Sequence, residues 1–375
     1  MLIKGVVRLI LGGNMKLRRL AALVLAGVMC LTTLVGCGAK PEDTIATLGE
    51  EQVSFGVANF IVKYQKASVD DMYAMYAMYY GVDSLWDVDM SGAGSTTEEE
   101  FKASAMQLMH DMYTLKAHMA DYGVEITDED KAAIKEAANA FLAANTEEAI
   151  KEFGATEDIV SEVLTLYTIQ AKMYDAIIAD TDREVSDEEA NMRGYSMIAI
   201  DLTGKYDEDN NFVKYTEDEL AAIKSIALNM DLDLKVKTLE EVATEQGYKV
   251  ETGAYVKEDD SLDPDILVAL DALKEGEVSD MVETEDAIYF FRIDADVDKE
   301  ATEQNRQSII AEREYALYED TLKKWQENDG WDVDEALVKK IEFHNMFTLN
   351  KDTEENESTE EGTETTEVSE TVDGE

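Results

Sequence analysis

Proline occurs only twice in the 375 residues, at Pro41 and Pro264, so almost the whole chain is free of the residue that breaks helices. Apolar residues then recur at helical spacing over much of the first half of the chain. A short strand and turn at 44–51 precede them. The pattern predicts helices at 53–78, 98–122, 128–144 and 157–179.

The pattern changes after residue 190, where strand signals alternate with shorter helical ones. The predicted elements are a strand at 195–202, helices at 217–230 and 239–246, a strand near 248–256, a short helix after Pro264 and a strand pair across 279–295. This order predicts a compact α+β unit, followed by a long charged helix at 299–327. Residues 341–349 are apolar enough for a short strand or a docking segment. The fold class expected for the chain is therefore α+β.

The amino terminus has the three parts of an export signal. Basic residues from Lys16 to Arg19 precede an apolar run at 20–35, and the run ends in Leu34-Val35-Gly36-Cys37. The run is too short for a comfortable membrane span. Gly36 before Cys37 resembles the lipobox of bacterial lipoproteins, which implies removal of residues 1–36 and acylation, for example by palmitate, at Cys37. The alternative is an ordinary signal peptide with a chance cysteine. Met15 is the expected start.

Charge and cysteine usage narrow the possible partners. Cys30 lies inside the export signal and Cys37 is the expected lipid site, so no thiol remains for a disulfide in the mature chain. The formal charge of −50 predicts repulsion from nucleic acid and from anionic lipid head groups. Attachment to the membrane would then come from the lipid. The acidic, almost apolar-free segment 350–375 predicts a disordered tail.

Three short motifs carry a family resemblance. They are Leu262-Asp263-Pro264-Asp265-Ile266, Gly276-Glu277-Val278-Ser279 and Val282-Glu283-Thr284. In this order they resemble the parvulin-type (PpiC) peptidyl-prolyl isomerase domain. Residues 45–51 and 185–189 are similar to the start and the connector of the helical chaperone domain of PrsA and SurA. With the lipobox, the chain resembles a PrsA-type foldase lipoprotein.

The resemblance implies a domain plan. A helical chaperone domain would occupy 37–190 and a parvulin-like domain 191–297. The C-terminal helix and a short strand would occupy 298–349, before the tail.

The resemblance also assigns positions to a prolyl pocket. Parvulins carry two histidines on adjacent central strands, and Met197 and Tyr289 stand at those positions here. Leu262 and Ile266 replace the methionine and phenylalanine that line the family's pocket, which predicts an apolar pocket without its aromatic wall. Of the family's glycine pair, Gly253 remains. The four positions are either a degenerate pocket of low or no activity or plain core residues of a sheet.

A cluster of methionine and tyrosine at 72–80 is the other candidate site. Methionine adapts its shape and tyrosine combines apolar area with a polar tip, which suits loose binding of unfolded chains. The candidate residues for client binding are Met72, Tyr73, Met75, Tyr76 and Tyr79. The alternative is a core stripe, since such residues at helical spacing usually face inward.

No catalytic or metal-binding pattern is recognisable, and we assign no site to His110, His118 or His344. We expect no cofactor. The sequence therefore favours a lipid-anchored foldase or chaperone at the extracytoplasmic face of the cell membrane, whose partners are folding exported proteins. Two alternatives stay open: an active prolyl isomerase with a non-standard pocket, and a solute-binding lipoprotein.

Overall fold

The computed structural model describes residues 39–207, 209–257 and 261–343. Two compact units divide these residues. Unit 1 contains the described residues up to 180 and those from 317 onward, and unit 2 contains residues 181–316. The expected lipid site Cys37, His344 and the predicted tail lie outside the described residues.

Helices outnumber strands along the described chain, and the α+β class is confirmed. In chain order the elements are β1 (Thr44–Leu48), β2 (Glu51–Ser54), α1 (Phe55–Ala67), α2 (Asp70–Tyr80), α3 (Thr97–Ala117), α4 (Asp128–Ala144), α5 (Glu147–Phe153), α6 (Glu157–Ile178), α7 (Asp187–Ala190), β3 (Met192–Asp201), β4 (Gly204–Tyr206), β5 (Phe212–Lys214), α8 (Glu217–Asp233), α9 (Leu239–Gln246), β6 (Glu251–Val256), α10 (Pro264–Ala272), β7 (Val282–Glu283), β8 (Ala287–Ala295), α11 (Lys299–Gln326), β9 (Trp331–Val333) and α12 (Glu335–Val338). None of these helices is both long and apolar enough to cross a membrane.

Reciprocal side-chain caps explain where several helices begin. In each, a Thr or Ser side chain accepts a hydrogen bond from the backbone three residues on, and the acidic side chain there accepts one in return. The pairs are Thr96 with Glu99, Thr127 with Asp130, Ser186 with Glu189, Thr216 with Glu219, and Thr238 with Glu241. The predicted starts of α4 at Asp128 and of α9 at Leu239 are confirmed.

The single helix predicted over 53–78 is wrong, because residues 68 and 69 separate α1 from α2. The Ser68 hydroxyl donates to the carbonyl of Gln65 at 2.6 Å, and Val69 leaves the helical backbone with a φ of −125°. The helix predicted over 98–122 likewise ends at Ala117, and a short 3₁₀ turn follows at Met119–Tyr122.

Unit 1 closes around a small antiparallel sheet with the strand order β2-β1-β9. Leu48 of β1 pairs with Glu51 on one side and with Trp331 on the other. The main core lies between this sheet and helices α1, α3 and α6, and it also contains Ile341 and Phe343. The predicted docking segment at 341–349 is thus buried at its described beginning, and residues 344–349 lie outside the described part.

Unit 2 is built on an antiparallel sheet with the strand order β6-β3-β8-β7. Even-numbered residues such as Ile198 and Phe290 face helices α8 and α9 in a closed core. Odd-numbered residues face the other side, where α10 covers part of the sheet. The element order is the predicted one, with the unpredicted hairpin β4-β5 inserted after β3.

Candidate functional site

The four predicted pocket positions lie together on the α10 side of the unit 2 sheet. Met197, Leu262, Ile266 and Tyr289 belong to one apolar cluster, and each is half-buried. Ala199 pairs with Tyr289, so Met197 and Tyr289 are diagonal neighbours on adjacent strands. We call these four residues, with Tyr195 and Phe291 of the same cluster, the basin.

The sequence did not single out Tyr195 and Phe291. The Tyr289 and Phe291 rings stack with centroids 5.5 Å apart, and Tyr195 meets the edge of Phe291 at 5.8 Å. The sheet thus supplies aromatic rings beside the positions that α10 lines, but Phe291 is buried. The expectation of a pocket without an aromatic wall stays a prediction. The alternation of side chains along a strand was the available signal, since Tyr195 and Phe291 lie two residues from predicted positions.

Gly253 shapes one edge of the basin. It pairs with Tyr195 across the strands, and a Cβ placed on it would lie 2.6 Å from both Cζ and Oη of Tyr195. A contact this short cannot be accommodated without movement of the ring. Glycine at this position therefore allows the Tyr195 ring to lie against the neighbouring strand.

Arg193 holds α10 against the sheet, on the same side as the basin. One guanidinium nitrogen donates to the Leu270 carbonyl at 3.0 Å, and the other donates to the Leu273 carbonyl at 2.7 Å. The same group donates to the Tyr255 hydroxyl at 2.8 Å, and that hydroxyl donates to Asp271 at 3.0 Å. Burial raises the pKa of Tyr255 to about 12, so its proton stays in place at neutral pH.

Two tyrosine side chains, Tyr195 and Tyr289, bring hydroxyl groups to the basin. Burial raises the pKa of Tyr195, and the neighbouring Tyr289 and Glu251 raise it further. Burial also raises the pKa of Tyr289. Negative charges nearby raise it further, in the order Asp263, Asp286, Asp201 and Glu251. Both hydroxyls therefore remain protonated and can donate or accept a hydrogen bond, but they are poor general bases.

The histidines lie elsewhere. His110 Nε2 is 2.6 Å from Asp329, and its ring stacks on Trp331. His118 Nδ1 is 2.7 Å from Asp121, and its ring stacks on Trp325. Both contacts lie within unit 1 and join side chains of its own helices and loops. Within the described ranges, no group of three His, Cys, Asp or Glu side chains is placed to hold a metal ion.

The methionine and tyrosine side chains of α2 are largely exposed. Met75 is 59% exposed and Tyr79 is 82% exposed, and Met72 and Tyr76 are exposed as well. Tyr73 instead packs on Trp86 with ring centroids 4.3 Å apart, beside buried Ala77. The core-stripe interpretation is thus wrong for four of the five candidates and applies to Tyr73. The exposed set, which we call the Met–Tyr surface, is Met72, Met75, Tyr76, Met78, Tyr79 and Tyr80.

Residues 203–303 match the family model of the PPIC-type PPIase domain. Unit 2 contains a PPIC-type PPIase domain. The matched range begins directly after β3, so Met197 lies just before it and Tyr289 inside it. The parvulin resemblance of unit 2 is thereby confirmed, and the prolyl-pocket role of the basin positions stays a prediction.

Several solved structures are similar to the chain at low identity. The foldase PrsA of Lactococcus lactis is 16% identical over 80% of this chain and 97% of its own, with a TM-score of 0.30. PrsA of Bacillus cereus is 15% identical over 80% and 98%, with a TM-score of 0.31. A structure from a study of the SurA-like chaperones PEB4 and Cj1289 of Campylobacter jejuni is 11% identical over 78% and 99%, with a TM-score of 0.25. No curated protein matches the chain.

Proposed function

We propose that the protein is a foldase or chaperone for exported proteins, held at the extracytoplasmic face of the cell membrane by a lipid on Cys37. Its PPIC-type domain binds prolyl segments in the basin and has low or no isomerase activity. The observation that carries this proposal is the basin itself. It is an apolar and aromatic surface in a PPIase-type domain, with Met197 and Tyr289 where the family resemblance places histidines.

The chemistry of prolyl rotation explains why binding and catalysis separate here. Rotation about a peptide bond meets a barrier of about 18–20 kcal/mol and requires no nucleophile or metal. An enzyme accelerates it only by binding the twisted amide more tightly than the planar one. The basin offers apolar contact for a proline ring, but its polar groups are protonated tyrosines rather than a histidine pair. We therefore expect the basin to keep its affinity for the planar prolyl bond better than its ability to accelerate rotation about that bond.

The Met–Tyr surface supports a second contact with clients. Monomeric proteins rarely leave a large contiguous apolar patch exposed without a function. Here six apolar or aromatic side chains are exposed along one helix of 11 residues. Flexible thioethers and amphipathic rings adapt to chains of different sequence. Unfolded segments of exported proteins are the proposed ligands.

Two assays on the chain from Gly38 onward test the proposal. We expect the protein to suppress aggregation of a denatured test protein and to leave the rate of a proline-limited refolding reaction nearly unchanged. Faster refolding that is lost in Leu262→Ala or Tyr289→Ala would instead support the active isomerase. If the protein neither suppresses aggregation nor speeds refolding, the result would favour the solute-binding alternative.

Paired variants test the Met–Tyr surface. Met75 and Tyr79 are exposed and contribute little to the folded core, so replacing both with Gln should leave the fold intact. The double replacement should weaken aggregation suppression severalfold, because it removes two side chains of the proposed contact surface. The control is Leu232→Gln, which removes a side chain 67% exposed on α8 of unit 2. Equal loss in both proteins would contradict a specific role for α2.

Lipid attachment has its own test. Cells that express the full chain and take up a labelled fatty acid should transfer the label to it, and the protein should sediment with membranes. Cys37→Ser should abolish both. Labelling that persists in this variant would contradict the anchor.

A further inference from the structure

Four carboxylates border the basin. Glu251 of β6 pairs with Met197, so the two side chains lie on the same side of the sheet. Asp201 lies two residues beyond Ala199 on that side of β3 and pairs with Ala287. Asp286 immediately precedes β8, and Asp263 caps α10 between Leu262 and Ile266. We call Asp201, Glu251, Asp263 and Asp286 the rim carboxylates.

The rim carboxylates have no cationic partner among the described residues, although neighbouring carboxylates of unit 2 do. Glu219 pairs with Lys205 at 2.6 Å, Glu283 with Lys224 at 2.6 Å, and Glu240 with Arg292 at 2.7 Å. The side chains of Glu251 and Asp286 also accept no hydrogen bond within the described chain. Their charges therefore remain available to a bound ligand.

The field of these charges reaches the basin. Burial raises the pKa of Tyr289, and the negative charges of all four rim carboxylates raise it further. A peptide bound with its proline against the rings would place the side chains next to that proline among the rim carboxylates. The basin thus combines apolar contact with an uncompensated negative border.

We propose that the basin selects prolyl segments with Lys or Arg beside the proline and disfavours those with Asp or Glu there. This inference rests on the proposed function, and it names the class of segment that the site takes. Opposite charges at an exposed rim are worth about 1.4- to 5-fold in affinity for each pair. The selection is therefore moderate, and it weakens as salt screens the charges.

Three peptides test the selection. They are acetylated and amidated tetrapeptides that carry Lys, Gln or Glu before a central proline and are otherwise identical. Binding to the chain from Gly38 onward is measured by titration calorimetry at low and at high salt. The Lys peptide should bind about tenfold more tightly than the Glu peptide at low salt, and the difference should shrink in 0.5 M NaCl.

A double variant that removes two rim charges distinguishes the effect of the rim carboxylates from the effect of the protein's overall charge. Glu251→Gln with Asp286→Asn removes two rim charges that make no structural hydrogen bond. We expect the preference for Lys over Glu to fall at least threefold. The control is Glu217→Gln with Asp218→Asn, which removes two exposed charges from the first turn of α8, on the opposite side of the sheet.

The outcomes are distinguishable. If the preference survives the rim double variant, or falls equally in the control, the overall charge is responsible and the proposed selection is wrong. Equal binding of all three peptides would overturn the selection and leave the proposed function intact. Failure of every prolyl peptide to bind would overturn the role of the basin in both.

Discussion

At the scale of single residues, Gly253 has the sharpest steric consequence. Gly253→Ala would place a Cβ 2.6 Å from the Tyr195 ring, which packs between Tyr255 and Phe291. The ring must shift, and overpacking of this kind costs about 1–3 kcal/mol. We expect that loss in the free energy of unfolding, measured by urea denaturation of the chain from Gly38 onward.

A double-mutant cycle isolates the steric cause. In a Tyr195→Ala background the same glycine replacement should cost less than about 0.5 kcal/mol, because the ring that it would strike is absent. Equal costs in both backgrounds would show that the effect arises elsewhere.

Asp130 gives a prediction for pH. Hydrogen bonds from Lys172 and from Thr127 lower the pKa of Asp130 to about 2. A carboxyl with a lowered pKa stabilises the fold above its ordinary pKa, and this contribution is lost as the pH falls toward the lowered value. We expect Asp130→Asn to lower the free energy of unfolding by about 1 kcal/mol at pH 6, allowing for solvent screening.

The difference between Asp130→Asn and the natural protein should shrink between pH 4 and pH 2. The comparison is Asp128→Asn, since the Asp128 side chain is fully exposed in its contact with Lys131. A cost for Asp130→Asn that is constant from pH 6 to pH 2 would contradict the assignment.

At the scale of elements, the position of α10 depends on the planar guanidinium group of Arg193. Arg193 reaches the Leu270 and Leu273 carbonyls with two different nitrogens. Lysine cannot reproduce this geometry, so Arg193→Lys should cost about 1.5–3 kcal/mol in unfolding free energy. Arg193→Lys should also weaken prolyl peptide binding, because α10 would no longer hold Leu262 and Ile266 in position on the sheet.

Arg183→Lys is the matched control for Arg193→Lys. Arg183 contacts Glu314 with its side chain 45% exposed, so the same substitution should cost less than about 0.5 kcal/mol. Similar losses in both variants would argue against the special role of the Arg193 guanidinium group.

Local signals determined which elements the sequence could predict. Helices α4 and α9 begin at threonine caps, and their bounds follow from residues that are neighbours in the chain. The short strands β4, β5 and β9 were missed because three residues carry too little periodicity. Strand β9 exists through its pairing with β1, which is distant in sequence.

The candidate sites show the same limit. The family resemblance brought Met197, Tyr289, Leu262 and Ile266 together, but Tyr195 and Phe291 required the strand register. For α2, helical spacing indicates which side chains share a face. Whether another element covers that face depends on tertiary packing, so the exposure of Met75 and Tyr79 could not be predicted.

At the scale of the whole molecule, unit 1 depends on the carboxyl-terminal part of the chain. Ile341 and Phe343 are buried in its core, and the Ile341 carbonyl accepts a hydrogen bond from Lys102 at 2.7 Å. A chain that ends at Glu327 lacks these residues and β9. Loss of one buried Phe alone costs about 3–5 kcal/mol, so unit 1 should unfold locally.

Hydrogen exchange tests this dependence. Amides of β1 and α1 should lose protection in the chain that ends at Glu327, whereas amides of β3 and β8 in unit 2 should keep theirs. A chain that ends at Asn350 retains every described residue and should behave like the full protein. Unchanged protection of β1 in the shorter chain would show that unit 1 folds without its last strand.

The pairing of β1 with β9 also sets an order of events during synthesis. Ribosomes make the amino end first, so β1 emerges early and its second edge waits for residues 331–333. The entire PPIC-type domain is made in that interval. The nascent chain therefore has an unpaired edge on β1 and an incomplete core in unit 1 until its carboxyl-terminal part is synthesised. Only then are the amino-terminal elements of unit 1 protected from aggregation.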